Sequence, residues 1–350
     1  MKARKRTRGA ATNPPNRFEA LHRERLELEE DVGDTKKTQF LIDTSRSILA
    51  RNDSPDIPFT YSLNPYRGCE HGCIYCYARP SHEYLGFSAG IDFESKIMVK
   101  THAPELLAEA FESKSWTPQV VALSGNTDCY QPVERKLALT RACLEVFQRY
   151  GNPVSMITKN ALLLRDLDIL RALARENLIH VLISITSLDA DLLRVLEPRT
   201  SSPSLRLQAL EELASQGIPV GVNVAPVIPG LNDQEIPAIL RESAARGATM
   251  ACSILLRLPG PVKDLFLEWL QKEMPERAKK ITSLIRQTRE GSMSDSRFGS
   301  RMSGRGEVAG AIHRLFALHA ARYHLQERWP DLSTAHFRRR GGTQQELFNR

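Results

Sequence analysis

The stretch NPYRGCEHGCIYCYARP, Asn64 to Pro80, decides how this 350-residue chain is read, because half of its six cysteines fall in one short window. Cys69, Cys73 and Cys76 are spaced Cys-x-x-x-Cys-x-x-Cys. Thiolates are soft ligands that suit zinc or an iron-sulfur cluster, and a cubic four-iron cluster ordinarily takes four of them. Three close together leave one iron open, a place to bind and activate a small molecule. The competing reading is a structural zinc site completed by His71, but zinc sites usually close with a second ligand pair downstream. Cys129, Cys143 and Cys252 are isolated and supply none. Gly68 and Gly72 suit a loop that turns its amides inward, since glycine adopts left-handed backbone freely.

With Tyr75 just before the last cysteine, the spacing resembles the signature of the radical S-adenosylmethionine (radical SAM) enzymes. The resemblance implies a 4Fe-4S cluster whose open iron chelates the methionine moiety of S-adenosyl-L-methionine. Reductive cleavage then yields a 5'-deoxyadenosyl radical, and an external electron donor is needed. The stretches TYSLNPYRGC, ITKN, LISIT, LEPR and VAPVIPGLND resemble a group of uncharacterised radical SAM proteins related to the spore photoproduct lyases. Carried over, Tyr75 offers backbone contacts to adenine, while Thr127, Lys159 and Ser184 surround the aminocarboxylate and ribose. Asn223 is a further ribose contact. The Gly-Gly-Glu stretch of many such enzymes is missing. Two departures concern the reaction: Cys129 stands where the group has proline, and Gly125 stands about where the lyases carry a hydrogen-returning cysteine. Cys129 is therefore a candidate hydrogen donor at a strand mouth.

Around that loop the chain alternates short apolar runs with helical segments. PQVVALSG (118–125), PVSMIT (153–158), HVLISIT (180–186), IPVGVNVAPVIPG (218–230) and ATMACSILLRLP (248–259) read as buried parallel strands. With the strand before the cysteine loop they make six units. The predicted fold is α/β, a partial (β/α)6 TIM-like barrel with a C-terminal helical extension, although a doubly wound sheet fits the same pattern. Expected boundaries are a basic, largely disordered leader over 1–55 with a helix-like patch at Phe18 to Glu30, the barrel over 56–260, helices over 261–330, and a flexible basic tail over 331–350. Cys143, on the apolar face of the helix ending at Tyr150, reads as core, and Asn232 or Asp233 as a helix cap.

No apolar run approaches the roughly 20 residues that span a bilayer, and few cysteines argue against a disulfide framework. A reducing cytoplasm and no membrane association are expected. The formal charge of +7 is uneven: residues 1–10 carry +5 and 336–350 carry +3, which leaves the body near neutral. Such ends attract nucleic-acid phosphates without sequence preference. Arg257 follows the last strand, and Arg297, Arg301 and Arg305 lie in a glycine-rich segment that reads as a linker or as a substrate-gripping loop. The tail QQELF, with Gln344, Leu347 and Phe348, resembles the short peptide by which bacterial replication and repair proteins dock on the DNA sliding clamp. The expected function is a radical SAM enzyme acting on a nucleic-acid lesion or another phosphate-bearing substrate. Alternatives are radical modification of RNA or protein, and a non-enzymatic zinc-binding nucleic-acid adaptor.

Overall fold

The short apolar runs become strands in the computed structural model, which describes residues 8–18 and 38–340. In chain order the strands are β1 (Gln39–Ile42), β2 (Leu49–Arg51), β3 (Tyr61–Leu63), β4 (Tyr66–Arg67), β5 (Lys96–Val99), β6 (Val121–Leu123), β7 (Val154–Thr158), β8 (Ile179–Ser184), β9 (Val220–Val227) and β10 (Met250–Leu255). Seven form one sheet in the order β10-β9-β8-β7-β6-β3-β2, parallel throughout except for the antiparallel β2–β3 hairpin. Every residue of β9 is buried, as a strand covered on both faces demands. The six parallel strands are the predicted six units. Because β10 and β2 do not pair, the sheet is an open partial barrel, and the doubly wound alternative falls away.

Helices cover the outer face. Leu139–Tyr150 buries Cys143, Leu144, Val146, Phe147 and Tyr150, so Cys143 is core as read from the sequence. Each large apolar side chain placed there contributes about 1.5–3 kcal/mol relative to exposure. Ser202 caps the helix Pro203–Ser215, accepting the Leu205 amide at 3.3 Å, and Gly217 follows its end at φ +69°. Asn232 departs from its expected role: its side chain bonds the Ile228 amide and the carbonyls of Thr186 and Pro226, fastening the turn after β9 instead of capping a helix.

The described parts of the leader, residues 8–18 and 38–55, pack against the body. β1 pairs in parallel with β5, β4 pairs antiparallel on the other side of β5, and this small sheet carries the cysteine loop. Residues 8–18 lie across that loop: a Cβ on Gly9 would come within 1.6 Å of the Gly72 carbonyl oxygen, so only glycine allows the approach. Of the helix-like patch, all but Phe18 lies outside the described residues.

Beyond the barrel, helices Val262–Glu273, Pro275–Gln287 and Gly306–Arg322 form the expected extension. The described part of the predicted flexible tail is anchored. Just before it the Ala251 amide donates to the Gln326 carbonyl at 2.9 Å and Trp329 stacks on His180 with centroids 4.4 Å apart; within it Phe337 meets Phe111. Arg339 and Arg340 donate to the carbonyls of Trp116 and Arg149, and the latter lies in a helix's last turn where carbonyls lack internal partners. Gln344, Leu347 and Phe348 lie outside the described residues. Among the described residues no helix is long and apolar enough to cross a membrane.

Candidate active site

The cysteine loop starts at the end of β4 and is held from below by Arg79. This guanidinium, fully buried, donates to the Cys73 carbonyl at 2.8 Å, to Ala89 and Gly90 carbonyls at 3.1 and 2.9 Å, and pairs with Glu94 at 2.5 Å. Glu94 also accepts the Gly9 and Ala10 amides. The Cys69 amide bonds the Phe93 carbonyl and the Ile74 amide the Leu196 carbonyl, so both ends of the loop are tied to other elements. Gly68 and Gly72 adopt φ +81° and +68°, the left-handed values the sequence anticipated.

All three cysteines face one cavity at the C-terminal ends of the strands, where parallel barrels gather their working residues. Its walls include Tyr75, Thr127, Lys159, Ser184, Asn223 and Arg257. Thr127 donates its hydroxyl to the Tyr66 carbonyl at 2.7 Å, which leaves its oxygen lone pairs for the cavity. The Asn223 amide reaches Ser184 Oγ at 3.4 Å and accepts from Cys252 Sγ at 3.3 Å, linking β8, β9 and β10. Burial raises the Cys73 thiol well above its ordinary pKa and the Cys76 thiol to about 11; nearby cations, among them Lys159, oppose this only partly.

A buried His71–Asp128 pair borders the same cavity. Nδ1 lies 3.4 Å from the carboxylate and Nε2 lies 3.3 Å from the Asn160 amide. Burial works against the charged imidazole, but Asp128 and the neighbouring Cys69 outweigh it and raise His71 to about 10. Asp128 also accepts from Thr158 Oγ1 at 2.7 Å and the Lys159 amide at 2.8 Å, so it fixes the end of β7 beside the cluster loop. With both ring nitrogens engaged, His71 is a poor fourth zinc ligand. Among the described residues no three His, Cys, Asp or Glu side chains close around a point as a mononuclear ion requires.

The LEPR stretch has a structural purpose that its sequence did not reveal. Glu197 is fully buried, pairs with the equally buried Arg206, and accepts from Tyr75 Oη and from Thr186 Oγ1. Arg206 and Lys159 overcome the burial that would raise it, so the Glu197 carboxyl is held down at about 2. Arg199 pairs with Glu70 at 3.0 Å, and its amide bonds the His71 carbonyl. Both charged residues of the stretch thus clasp the cysteine loop.

Two expectations require correction. Cys129 is fully buried in the main core, its amide bonded to Ser124 Oγ, and is absent from the cavity wall; the strand mouth is occupied by Asn126, Thr127 and Asp128 instead. Arg297, Arg301 and Arg305 are neither free for substrate nor in a loose linker: they pair with Asp295, Asp56 and Glu290. Arg257, by contrast, lies in the cavity wall. Its guanidinium sits 5.5 Å from the ring centre of Tyr77 and 3.4 Å from Met302 Sδ. Burial and then the nearby Arg301 lower its pKa. Tyr77, which sequence reasoning passed over, stays 45% exposed and donates to the Gly125 carbonyl. Its only signal was an aromatic directly after the last cysteine.

The arrangement defines a cluster-bearing parallel barrel, and comparison with known proteins gives the family. The profile of the Radical SAM superfamily matches residues 63–242. Uncharacterised proteins of Mycobacterium tuberculosis and Mycobacterium bovis are each 37% identical over 232 residues, covering 66% of this chain and 68% of theirs. One of Methanocaldococcus jannaschii is 30% identical over 175 residues, covering 50% and 63%. Spore photoproduct lyase complexed with dinucleoside spore photoproduct superposes with a TM-score of 0.60 at 18% identity, over 83% of this chain and 82% of that one, a likeness of fold. The chain belongs to the radical SAM superfamily and is a radical SAM enzyme. That family uses a 4Fe-4S cluster and S-adenosyl-L-methionine. The donor set fits: three thiols face one cavity with few counter-cations, burial holds the protons on Cys73 and Cys76, and an iron-sulfur core supplies the positive charge that deprotonates such ligands.

Proposed function

We propose that this enzyme acts in the cytoplasm on a nucleic-acid lesion or another phosphate-bearing substrate. Cys69, Cys73 and Cys76 hold the cluster. When bound, the cluster and S-adenosyl-L-methionine supply a carbon-centred radical that abstracts hydrogen. The observation that carries the substrate class is Arg257, a cation in the cavity wall beyond the one, Lys159, that the cofactor carboxylate takes, and in no salt bridge among the described residues. In this reading Lys159 meets the methionine carboxylate, with Thr127 and Ser184 accepting from its amino group, and Asn223 holds a ribose hydroxyl. Tyr75 keeps its backbone toward adenine while its hydroxyl stays bonded to Glu197. Arg257 then faces substrate phosphate, and the half-exposed ring of Tyr77 offers a face on which a base can stack, an interaction worth about 1–3 kcal/mol. The fold shared with a lyase crystallised with a dinucleoside lesion supports the same substrate class.

The test is turnover by anaerobically reconstituted protein with a reductant. Ultraviolet-damaged DNA should raise 5'-deoxyadenosine formation above the substrate-free rate, with undamaged DNA, RNA and peptide as comparisons. Formation should vanish in a Cys69→Ala, Cys73→Ala, Cys76→Ala variant. Stimulation by RNA or peptide alone would replace the DNA reading. The DNA reading also includes docking of Gln344, Leu347 and Phe348 on the sliding clamp. A peptide of residues 341–350 should bind purified clamp with micromolar affinity, and lose it when Leu347 and Phe348 are changed to alanine.

A further inference from the structure

An open barrel leaves its two terminal strands without neighbours, and here one segment spans the opening. The free edge of β10 is met by Met302, whose carbonyl accepts the Leu255 amide at 3.0 Å. On the opposite rim, the loop between β2 and β3 presents Asp56. Its carboxylate takes the Gly299 amide at 2.7 Å and Arg301 Nε at 2.6 Å, and Arg301 also donates to Ser54. The Arg301–Asp56 pair is largely shielded, with side chains 15% and 9% exposed.

The two attachments differ in kind. On the β10 side the segment is rooted by Arg289, which is buried and donates to the carbonyls of Ser300 and Leu256 at 2.9 and 2.7 Å. On the Asp56 side the attachments are the hydrogen bonds and ion pair to Asp56 and Ser54. The segment is stitched internally by Asp295, which accepts from Arg297 and Ser300, and it is bounded by Gly291 and Gly306 at φ +90° and +85°. Phe298 stays 59% exposed with Arg301 stacked on its ring at 4.6 Å. A segment with a firm root, a polar far end and little apolar burial opens locally before the protein unfolds. It also touches the site, since Met302 contacts Arg257 in the cavity wall.

We infer that residues 295–305 form a side gate of the barrel, latched by Arg301 and Asp56, which swings about the β10 side to admit substrates too bulky for the cavity mouth. The inference rests on the cavity being the active site but not on the substrate's identity. It gives Arg301 the task of holding a wall in place, and Met302 that of coupling the wall to Arg257.

Hydrogen exchange on the cluster-loaded enzyme tests the gate without turnover. The Gly299 amide, bonded across the opening to Asp56 in the closed form, should exchange at least 100-fold faster than those of β9. Asp56→Asn should accelerate it a further tenfold or so, leave β9 unchanged, and speed bleaching of the cluster by a bulky iron chelator. Arg301→Lys, which keeps the ion pair, should stay near wild type. A Gly299 amide that exchanges only as slowly as β9, or an Asp56→Asn variant that accelerates both alike, would show a fixed wall. Loop opening with unchanged bleaching would show that the segment does not guard the cavity. Either result overturns the inference, and neither bears on whether DNA is the substrate.

Discussion

Replacing Glu94 by glutamine tests how the cysteine loop is supported. Arg79 and Glu94 are both fully buried, 2.5 Å apart, and join the Cys73 carbonyl to the Gly9 and Ala10 amides. Glutamine keeps the size and one carbonyl oxygen but removes the countercharge, leaving a guanidinium alone in the interior. Breaking one side of such a pair costs about 3–5 kcal/mol. Unfolding entropy of about 2.1 cal/mol/K per residue, over 350 residues, converts this into a Tm lowered by about 4–7 °C. Iron retained after reconstitution should fall as well, because the same guanidinium positions the Cys73 carbonyl. The Arg79→Met, Glu94→Gln double variant removes both charges, so its loss should fall short of the summed single losses by about 2 kcal/mol. Calorimetry and iron analysis of the four proteins read this directly. A Glu94→Gln protein melting within 1 °C or so of wild type, or strictly additive single losses, would refute the claim that this pair holds the loop.

Further outcomes follow from the same reasoning. His180 is stacked under Trp329, and burial lowers its pKa to about 4, so the unfolded chain binds more protons than the native one between pH 4 and 6.5. Stability is therefore retained above about pH 6.5 and lost as pH falls toward 4, by about 3 kcal/mol from this group; His180→Phe should flatten that slope, and an unchanged slope would exclude His180 as its source. Cys129→Ala should leave 5'-deoxyadenosine formation and product distribution intact while costing about 1 kcal/mol of stability; loss of product with cofactor cleavage preserved would restore its role as hydrogen donor. Arg257→Gln should raise the dissociation rate of a bound oligonucleotide about tenfold, as for a concave site's charge-assisted contact, whereas Arg305→Gln should leave it near wild type. Equal effects of the two would place the anion site elsewhere.

The strand pattern was legible because parallel strands buried on both faces read as apolar runs, and the cysteine loop because its ligands are consecutive in sequence. What stayed hidden depends on contacts across the chain. Nothing near Arg301 announces that Asp56 will neutralise it, and nothing near Cys129 announces that the turn after β6 carries it into the core while Asn126, Thr127 and Asp128 take the mouth. In the described part of the leader, charge masks two specific fits: Gly9 against Gly72, and the Gly9 and Ala10 amides on Glu94. The LEPR stretch was visible as a pattern. Its purpose, clamping Tyr75 and Glu70 of the cysteine loop, needed the fold.

Where the positive charge lies decides which surface can hold an anion. The net charge of +7 resides at the two ends of the chain, yet several described arginines there already spend donors within the protein: Arg8 on Thr38 and the Glu94 carbonyl, Arg339 on the Trp116 carbonyl and Arg340 on the Arg149 carbonyl. A guanidinium so bonded keeps its charge and still contributes to the field that steers an anion toward the protein, but its planar fork is not free to grip phosphate. Arg297 and Arg305 are compensated by Glu290, and Arg301 by Asp56. Arg257 differs on both counts: it is set in a concave, partly desolvated wall where charge acts more strongly than at the surface, and the proximity of Arg301 lowers its pKa further. An anion binding there relieves that repulsion and gains a stacked, fixed guanidinium. In the proposed function, specific recognition therefore belongs to the cavity, and the basic ends govern how fast the anion arrives.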